Sequence, residues 1–286
     1  MRQELVGVDE IPLAYSCGSE AVTGFVHLPT EPLDIGVLMV VGGPQYKVGS
    51  HRQFVILARY LAARGIPVFR FDYRGMGDST GPMQDFESSN LDISSAIDVF
   101  LKQCGSVKKL VLWGLCDAAS AISFYAPLDD RVGGLVMLNP WVRTEQSESK
   151  VFLKDYYIKR LRSKGFWLKV ITKDFDFKGS IFSFAQKVKG AGKKTSTENN
   201  ESLLPLPKRV IESMGRFEKD VLIILSGDDL TAKEFVQLVE TDSTAKGIMS
   251  RKSISRLDLE GCNHTFSKKS WRHQVNEATC NWVTNL

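Results

Sequence analysis

Short apolar runs alternate with amphipathic stretches along the first 140 residues. Thr23–Leu28 (TGFVHL) reads as a strand. Gly36–Gly43 (GVLMVVGG) is continuously apolar, as a strand buried on both faces must be. Between His51 and Gly65, the residues Phe54, Leu57, Ala58 and Leu61 fall on one helical face. Ser50 is placed to cap the start of that helix and Gly65 its end. Ile66–Gly75 supplies the next strand and turn. Leu91–Gly105 follows as a helix with Ile93, Ile97, Phe100 and Leu101 inward. Leu110–Trp113 is a further apolar strand, Ala118–Tyr125 a helix and Gly133–Pro140 a strand.

This strand–helix rhythm predicts a mostly parallel sheet flanked by helices. It stops at Trp141. From there to about Gly215 the chain is basic and rich in aromatic residues. The pattern Lys150–Lys164 is helical, and Lys189–Ser202 (KGAGKKTSTENNES) is polar enough for an exposed loop. The rhythm resumes with a strand in Asp220–Leu230, a helix near Lys233–Thr241, a strand in Ser253–Gly261 and a final helix over Lys268–Val283. No internal repeat is visible. The reading is one α/β core in two parts, 1–140 and 216–286, interrupted by a helical insertion at 141–215.

Composition changes this picture in three places. With 286 residues, 43% hydrophobic and 24% charged, the chain has ordinary globular composition and enough length for a large core. Its longest apolar runs, about 7–8 residues, fall far short of the roughly 20 that cross a bilayer. The N-terminal residues lack the apolar centre of a secretory signal. Five cysteines without a C-x-x-C pair argue against a disulfide framework and against a zinc site, and the expected location is a reducing cytoplasm. The net charge of +4 is uneven. Arg143–Gly215 holds 16 Lys and Arg against 8 Asp and Glu, a net of +8, which leaves −4 for the remainder.

The candidate chemistry begins at Lys108–Ser120 (KKLVLWGLCDAAS). An apolar strand meets Gly114, Cys116 follows two residues later, and Ala118 stands two beyond that. This is the layout of a nucleophile elbow, G-x-S-x-G, with cysteine in place of serine and alanine in place of the second glycine. The neighbours must be small because the elbow strains the backbone at the nucleophile. A helix opening at Cys116 favours the thiolate. Two further elements end strands in the same way: Asp228 and Asp229 follow Val221–Leu225, and His264 follows Ser253–Leu259. Parallel sheets gather such positions at one rim. The order nucleophile, acid, histidine differs from the two common serine-protease orders.

The segments VVGGPQ, FDYRGMGDST, GLCDAA, SGDDLTAKEF and NHTFS together resemble the α/β-hydrolases over nearly the whole chain. More narrowly, VVGGPQYKVGSHRQFVILAR with FRFDYRGMGDS resembles the type 1 hydrolases associated with exosortase A systems, bacterial proteins linked to exopolysaccharide and protein-sorting gene clusters. A cysteine in the elbow is also similar to that of dienelactone hydrolases and polyhydroxyalkanoate synthases. The resemblance implies an α/β-hydrolase fold with an eight-stranded sheet and a lid. It also implies a Cys116–His264–Asp229 triad, since related hydrolases keep the aspartate just before Leu-Thr-Ala.

The expected reaction is hydrolysis of a carboxylic ester or thioester through an acyl-cysteine. The alternatives are an acyltransferase using the same intermediate and a non-enzymatic binding protein. The oxyanion hole needs two N–H groups. Asp117 is expected to supply one from its backbone. Pro44 has no N–H, so Gln45 is expected to supply the other. The reaction requires no cofactor, and the sequence shows neither a metal-ligand cluster nor a nucleic-acid module. The expected partner is a small-molecule or carrier-bound acyl donor, with peripheral membrane contact through the basic lid as a further reading of its charge.

The remaining candidates read as structural. Cys104 and Cys280 lie inside helices and suit the core, while Cys17 and Cys262 stay open. His27 reads as a strand surface residue and His273 as a mid-helix structural one. His51 reads as a capping or exposed residue beside the oxyanion loop. Asp72, Arg74, Gly75, Gly77, Asp78 and Ser79 read as a turn that braces the site's loops. Its two glycines lack the third of a nucleotide fingerprint.

Overall fold

The computed structural model describes residues 7–43, 45–83, 85–143 and 204–286. The described residues form an eight-stranded sheet in the order β1-β2-β4-β3-β5-β6-β7-β8. The strands are β1 (Val8–Cys17), β2 (Glu20–Pro29), β3 (Ile35–Val40), β4 (Val68–Phe71), β5 (Lys109–Leu115), β6 (Val132–Leu138), β7 (Asp220–Ser226) and β8 (Ile254–Leu259). β1 and β2 are antiparallel to their neighbours, and every pairing from β4 to β8 is parallel.

The burial patterns explain this arrangement. Every residue of β3 and β4 is buried, and β5, β6 and β7 are buried over all but their first positions or one glycine. Such strands fit only between two helical layers. Helices α2 (Asn90–Gln103) and α3 (Asp117–Tyr125) pack on one face, with Ile93, Ile97, Phe100 and Ile122 against Leu38, Leu112 and Leu135. Helices α1 (Gln53–Ala62) and α7 (Lys269–Thr284) pack on the other, with Leu57, Leu61, Val275 and Val283 against Val37, Val111 and Ile224.

Three other helices are described: α4 (Leu206–Arg216), α5 (Leu230–Thr241) and α6 (Ser243–Met249). Helix α4 falls in the range read from sequence as insertion, yet Val210, Ile211 and Met214 sit in the same core as α3. The rest of the expected lid, 144–203, lies outside the described residues.

Two local expectations are corrected. Ser50 does not cap α1. His51 and Arg52 take left-handed φ values of 54° and 59°, and the regular helix begins only after them, at Gln53. His27 is not a surface residue. Strand β1 covers the open side of β2, and His27 is fully buried, accepting from Arg70 Nε at 2.9 Å and lying 3.0 Å from Glu10. Burial, helped by the Arg70 charge, lowers its pKa to about 4, so the ring is neutral.

The turn after β4 has the bracing geometry expected of it. Buried Asp72 accepts from the Lys47 backbone N–H and from Lys47 Nζ, each at 2.5 Å. Lys47 Nζ also reaches Asp78 at 2.6 Å, and Arg74 pairs with buried Asp92 at 2.9 Å. Lys47 lies in the loop after β3, so this turn anchors that loop.

Candidate active site

Strand β5 runs straight into α3 through Cys116, whose φ and ψ are 65° and −125°. A side chain in that region carries roughly 1–3 kcal/mol of strain. The surroundings hold it there. Cys116 N–H donates to Leu138 of β6 at 2.8 Å, and its carbonyl accepts from Ala119 and Trp141. A Cβ at position 114 would lie 2.7 Å from the Ala118 carbonyl group, so strand and helix approach this closely only because residue 114 is glycine. Cys116 caps α3 by position alone and makes no side-chain cap bond. It is half-buried, whereas Cys17, Cys104, Cys262 and Cys280 are all buried.

The other two strand ends meet it. Asp229 is the N-cap of α5, and its carboxylate accepts from Thr231 and Ala232 N–H at 3.4 and 3.1 Å. The same carboxylate holds His264 Nδ1 at 2.9 Å. Asp228 is exposed, and its own N–H donates to Cys262. Burial acts to lower the His264 pKa, but the bonded Asp229 carboxylate and the nearby Cys116 sulfur outweigh it and push it up to about 10. With Nδ1 facing Asp229, the ring has Nε2 for the sulfur. His264 thus stands between the Asp229 carboxylate, which it meets at 2.9 Å, and Cys116, which lines the same cavity, the order of a nucleophile–histidine–acid row.

His264 sits in a tight loop. Asn263 Nδ2 donates to Ser267 Oγ at 2.7 Å, and Asn263 Oδ1 accepts from Ser267 N–H at 3.0 Å. Phe266 has a left-handed φ of 50° and is buried. Among described non-glycine residues with positive φ, three of five (Cys116, Asn139 and Phe266) flank this row. Sequence reasoning singled out only Cys116 of these three. Asn139 falls within the Gly133–Pro140 strand and Phe266 within NHTFS, and neither stands out by its residue type.

A cavity of about 370 Å³ opens onto Cys116 and His264. Phe54, Phe86, Leu115 and Trp141 make its apolar wall, and Gly42, Gly43, Gln45 and Asp117 form a rim. Both residues expected to shape an oxyanion hole thus border the cavity. At this rim the Asp117 side chain has a part not foreseen from sequence. Its carboxylate accepts from Gly43 N–H at 2.6 Å and from Ala118 N–H at 3.0 Å. Burial raises its pKa, while bonds from Gly43, Ala118 and its own N–H oppose that rise. A Cβ at position 42 would lie 1.9 Å from Asp117 Oδ1, so glycine there is what admits the carboxylate. His51 is exposed and does not border the cavity, and His273 is exposed beside Glu277.

The tie between Asp117 and Gly43 has a measurable consequence. Asp117→Ala removes the acceptor of the Gly43 N–H, which water then takes, and is expected to lower stability in urea unfolding by about 1 kcal/mol. Asp117→Asn keeps an acceptor oxygen and should lose clearly less. Equal losses in the two variants would contradict the tie.

Comparison with known proteins points in one direction. The sequence model for the alpha/beta hydrolase fold matches residues 37–253. The esterase Pf2001 of Pyrococcus furiosus is similar in structure, with a TM-score of 0.64 and 11% identity over 100% of this chain and 93% of that one. Est1E of Butyrivibrio proteoclasticus, solved with ferulic acid bound, gives 0.61 and 14% over 96% and 98%. The dienelactone hydrolase of Anabaena variabilis gives 0.63 and 12% over 98% of both chains. No curated protein matches by sequence. Among the described residues, no helix is long and apolar enough to cross a membrane.

Proposed function

The chain belongs to the α/β-hydrolase family, and from that premise we propose that it cleaves a carboxylic ester or thioester through Cys116, His264 and Asp229. The observation that carries this reading is the convergence of the three strand ends: Asp229 at 2.9 Å from His264 Nδ1, with His264 and Cys116 both lining one apolar cavity.

In this mechanism His264 Nε2 takes the proton of Cys116, and Asp229 steadies the resulting imidazolium. The thiolate attacks the acyl carbon, forming a C–S bond as the carbonyl π pair moves onto oxygen. That oxyanion accepts from the Asp117 N–H, while the Asp117 carboxylate keeps its bond to Gly43. Gln45 lends the second N–H. Collapse breaks the bond to the alcohol or thiol, which leaves with the proton from Nε2. Water then gives a proton to Nε2 and attacks the acyl-cysteine. The second collapse releases the carboxylic acid and returns the sulfur.

A cysteine nucleophile suits activated acyl donors, thioesters and lactones among them. The apolar wall of Phe54, Phe86, Leu115 and Trp141 suits a hydrocarbon acyl group. The neighbours named as an esterase and as a dienelactone hydrolase support the same reaction class. The resemblance to exosortase-associated hydrolases adds a setting, exopolysaccharide assembly in a bacterial cytoplasm, in which an acyl substituent or carrier would be the substrate.

The test is a rapid-mixing experiment with p-nitrophenyl acetate. The expected result is a burst of about one nitrophenolate per chain, followed by slower turnover. Mass spectrometry of the quenched protein should place the acetyl group on Cys116. An acetyl group on another residue would overturn the mechanism.

A further inference from the structure

We infer that Asn139 and Ser226 are positioning residues for His264, a strap between the ends of β6 and β7 and the histidine loop. The inference rests on the proposed triad for its meaning in catalysis, but its geometry stands apart from it.

Asn139 follows the last residue of β6 and is fully buried. Its backbone takes a φ of 45°, a left-handed conformation that asparagine tolerates better than most residues. Its amide faces two directions. Oδ1 accepts the Ser226 N–H at 2.8 Å, while Nδ2 donates to Ser226 Oγ at 2.9 Å and to the His264 carbonyl at 3.3 Å. Ser226, the buried last residue of β7, passes its hydroxyl proton on to the Asn263 carbonyl at 3.2 Å. The carbonyls of two consecutive residues, 263 and 264, are thus both held by side chains at strand ends.

This directed chain has no slack. Asn139 uses its donor and acceptor sides together, and Ser226 both accepts and donates. The Asn263 side chain is tied up with Ser267 on the far side of the loop. The His264 backbone is therefore fixed from the sheet, and Asp229 has only the ring rotation left to set. A catalytic group displaced by about 1 Å can cost about 10²-fold in rate. Neither Asn139 nor Ser226 borders the cavity, so they act through the histidine.

The experiment uses Asn139→Gly, which removes the amide and at the same time relieves the left-handed backbone, offsetting part of the cost of orphaning the buried Ser226 N–H. In the full-length protein with p-nitrophenyl acetate, kcat is expected to fall about 10- to 100-fold. KM should stay within about twofold, because the strap does not touch the cavity. The ring 15N resonances of His264 should titrate with a midpoint lower than in the wild type, since the bond to Asp229 loosens. Ser226→Ala should move both quantities the same way by a smaller amount, and it serves in place of Asn139→Gly if that variant does not fold.

An unchanged kcat together with an unchanged His264 titration in a folded variant would overturn the strap. If the wild-type protein does not turn over the ester, the triad reading fails on its own account. The NMR midpoint then decides the strap alone, for or against.

Discussion

Cys116→Ala is expected to lower kcat for p-nitrophenyl acetate by about 10⁴- to 10⁶-fold, to the residue of rate that binding and oxyanion contacts leave behind. No other described thiol can substitute. Cys17, Cys104, Cys262 and Cys280 are buried, and burial raises the pKa of each. The alanine also deprives the His264 ring of one partner, so the ring should titrate below its wild-type midpoint. The loss is chemical and not structural, because the elbow is held by backbone bonds to Leu138, Ala119 and Trp141 that alanine preserves. Circular dichroism and the unfolding midpoint should therefore stay near the wild type. A variant with most of its activity intact would end the proposal of a cysteine nucleophile. Cys116→Ser is expected to keep more rate than alanine while losing all labelling by iodoacetamide at that position.

Asp229→Asn is expected to cost about 10⁴-fold in kcat, the scale seen when a triad carboxylate becomes an amide and the imidazole loses its tautomer. Here the substitution is well isolated. Asparagine is as good an N-cap as aspartate, so the bonds to Thr231 and Ala232 that start α5 survive. Asp228→Asn should stay within about twofold, as for an exposed substitution.

The same carboxylate sets a pH signature. In the fold the His264 pKa is raised from 6.5 to about 10, so the charged ring is favoured by folding. That contribution is complete below about pH 6.5 and fades as pH climbs through about 10. Asp229→Asn should therefore destabilise most in urea titrations near pH 6. The difference from wild type should shrink in titrations above pH 10. A gap that widened with pH would mean that Asp229 does not stabilise the imidazolium.

Much of this was legible in the sequence because strong local patterns carried it. The buried strands announced themselves as unbroken apolar runs, and the three strand-end residues lay at the carboxyl ends where parallel strands converge. Strand β1 escaped that reading, since Val8–Cys17 carries Pro12 and a weak alternation, as edge strands often do. The misplacement of His27 followed directly, because without β1 its strand had an open side.

The parts that stayed hidden depend on neighbours that only folding supplies. Nothing next to Asn139 in the chain says that Ser226, 87 residues later, lies beside it. Parallel pairing of β6 with β7 creates that contact. Asp117 likewise drew notice for its backbone N–H, while its carboxylate finds Gly43 across 74 residues. An asparagine at a strand end just before a proline, as in Asn139-Pro140, is the one local hint such contacts leave.

The elbow sets the interests of the fold against those of the reaction. Glycine would occupy φ 65° at position 116 freely, so on conformational grounds alone any side chain there is a burden. The thiol persists at a place where a more relaxed protein would carry none. Mutational drift that selects for heat resistance alone would be drawn to erase it, and the durability of this enzyme and its usefulness would then part company at a single atom of sulfur.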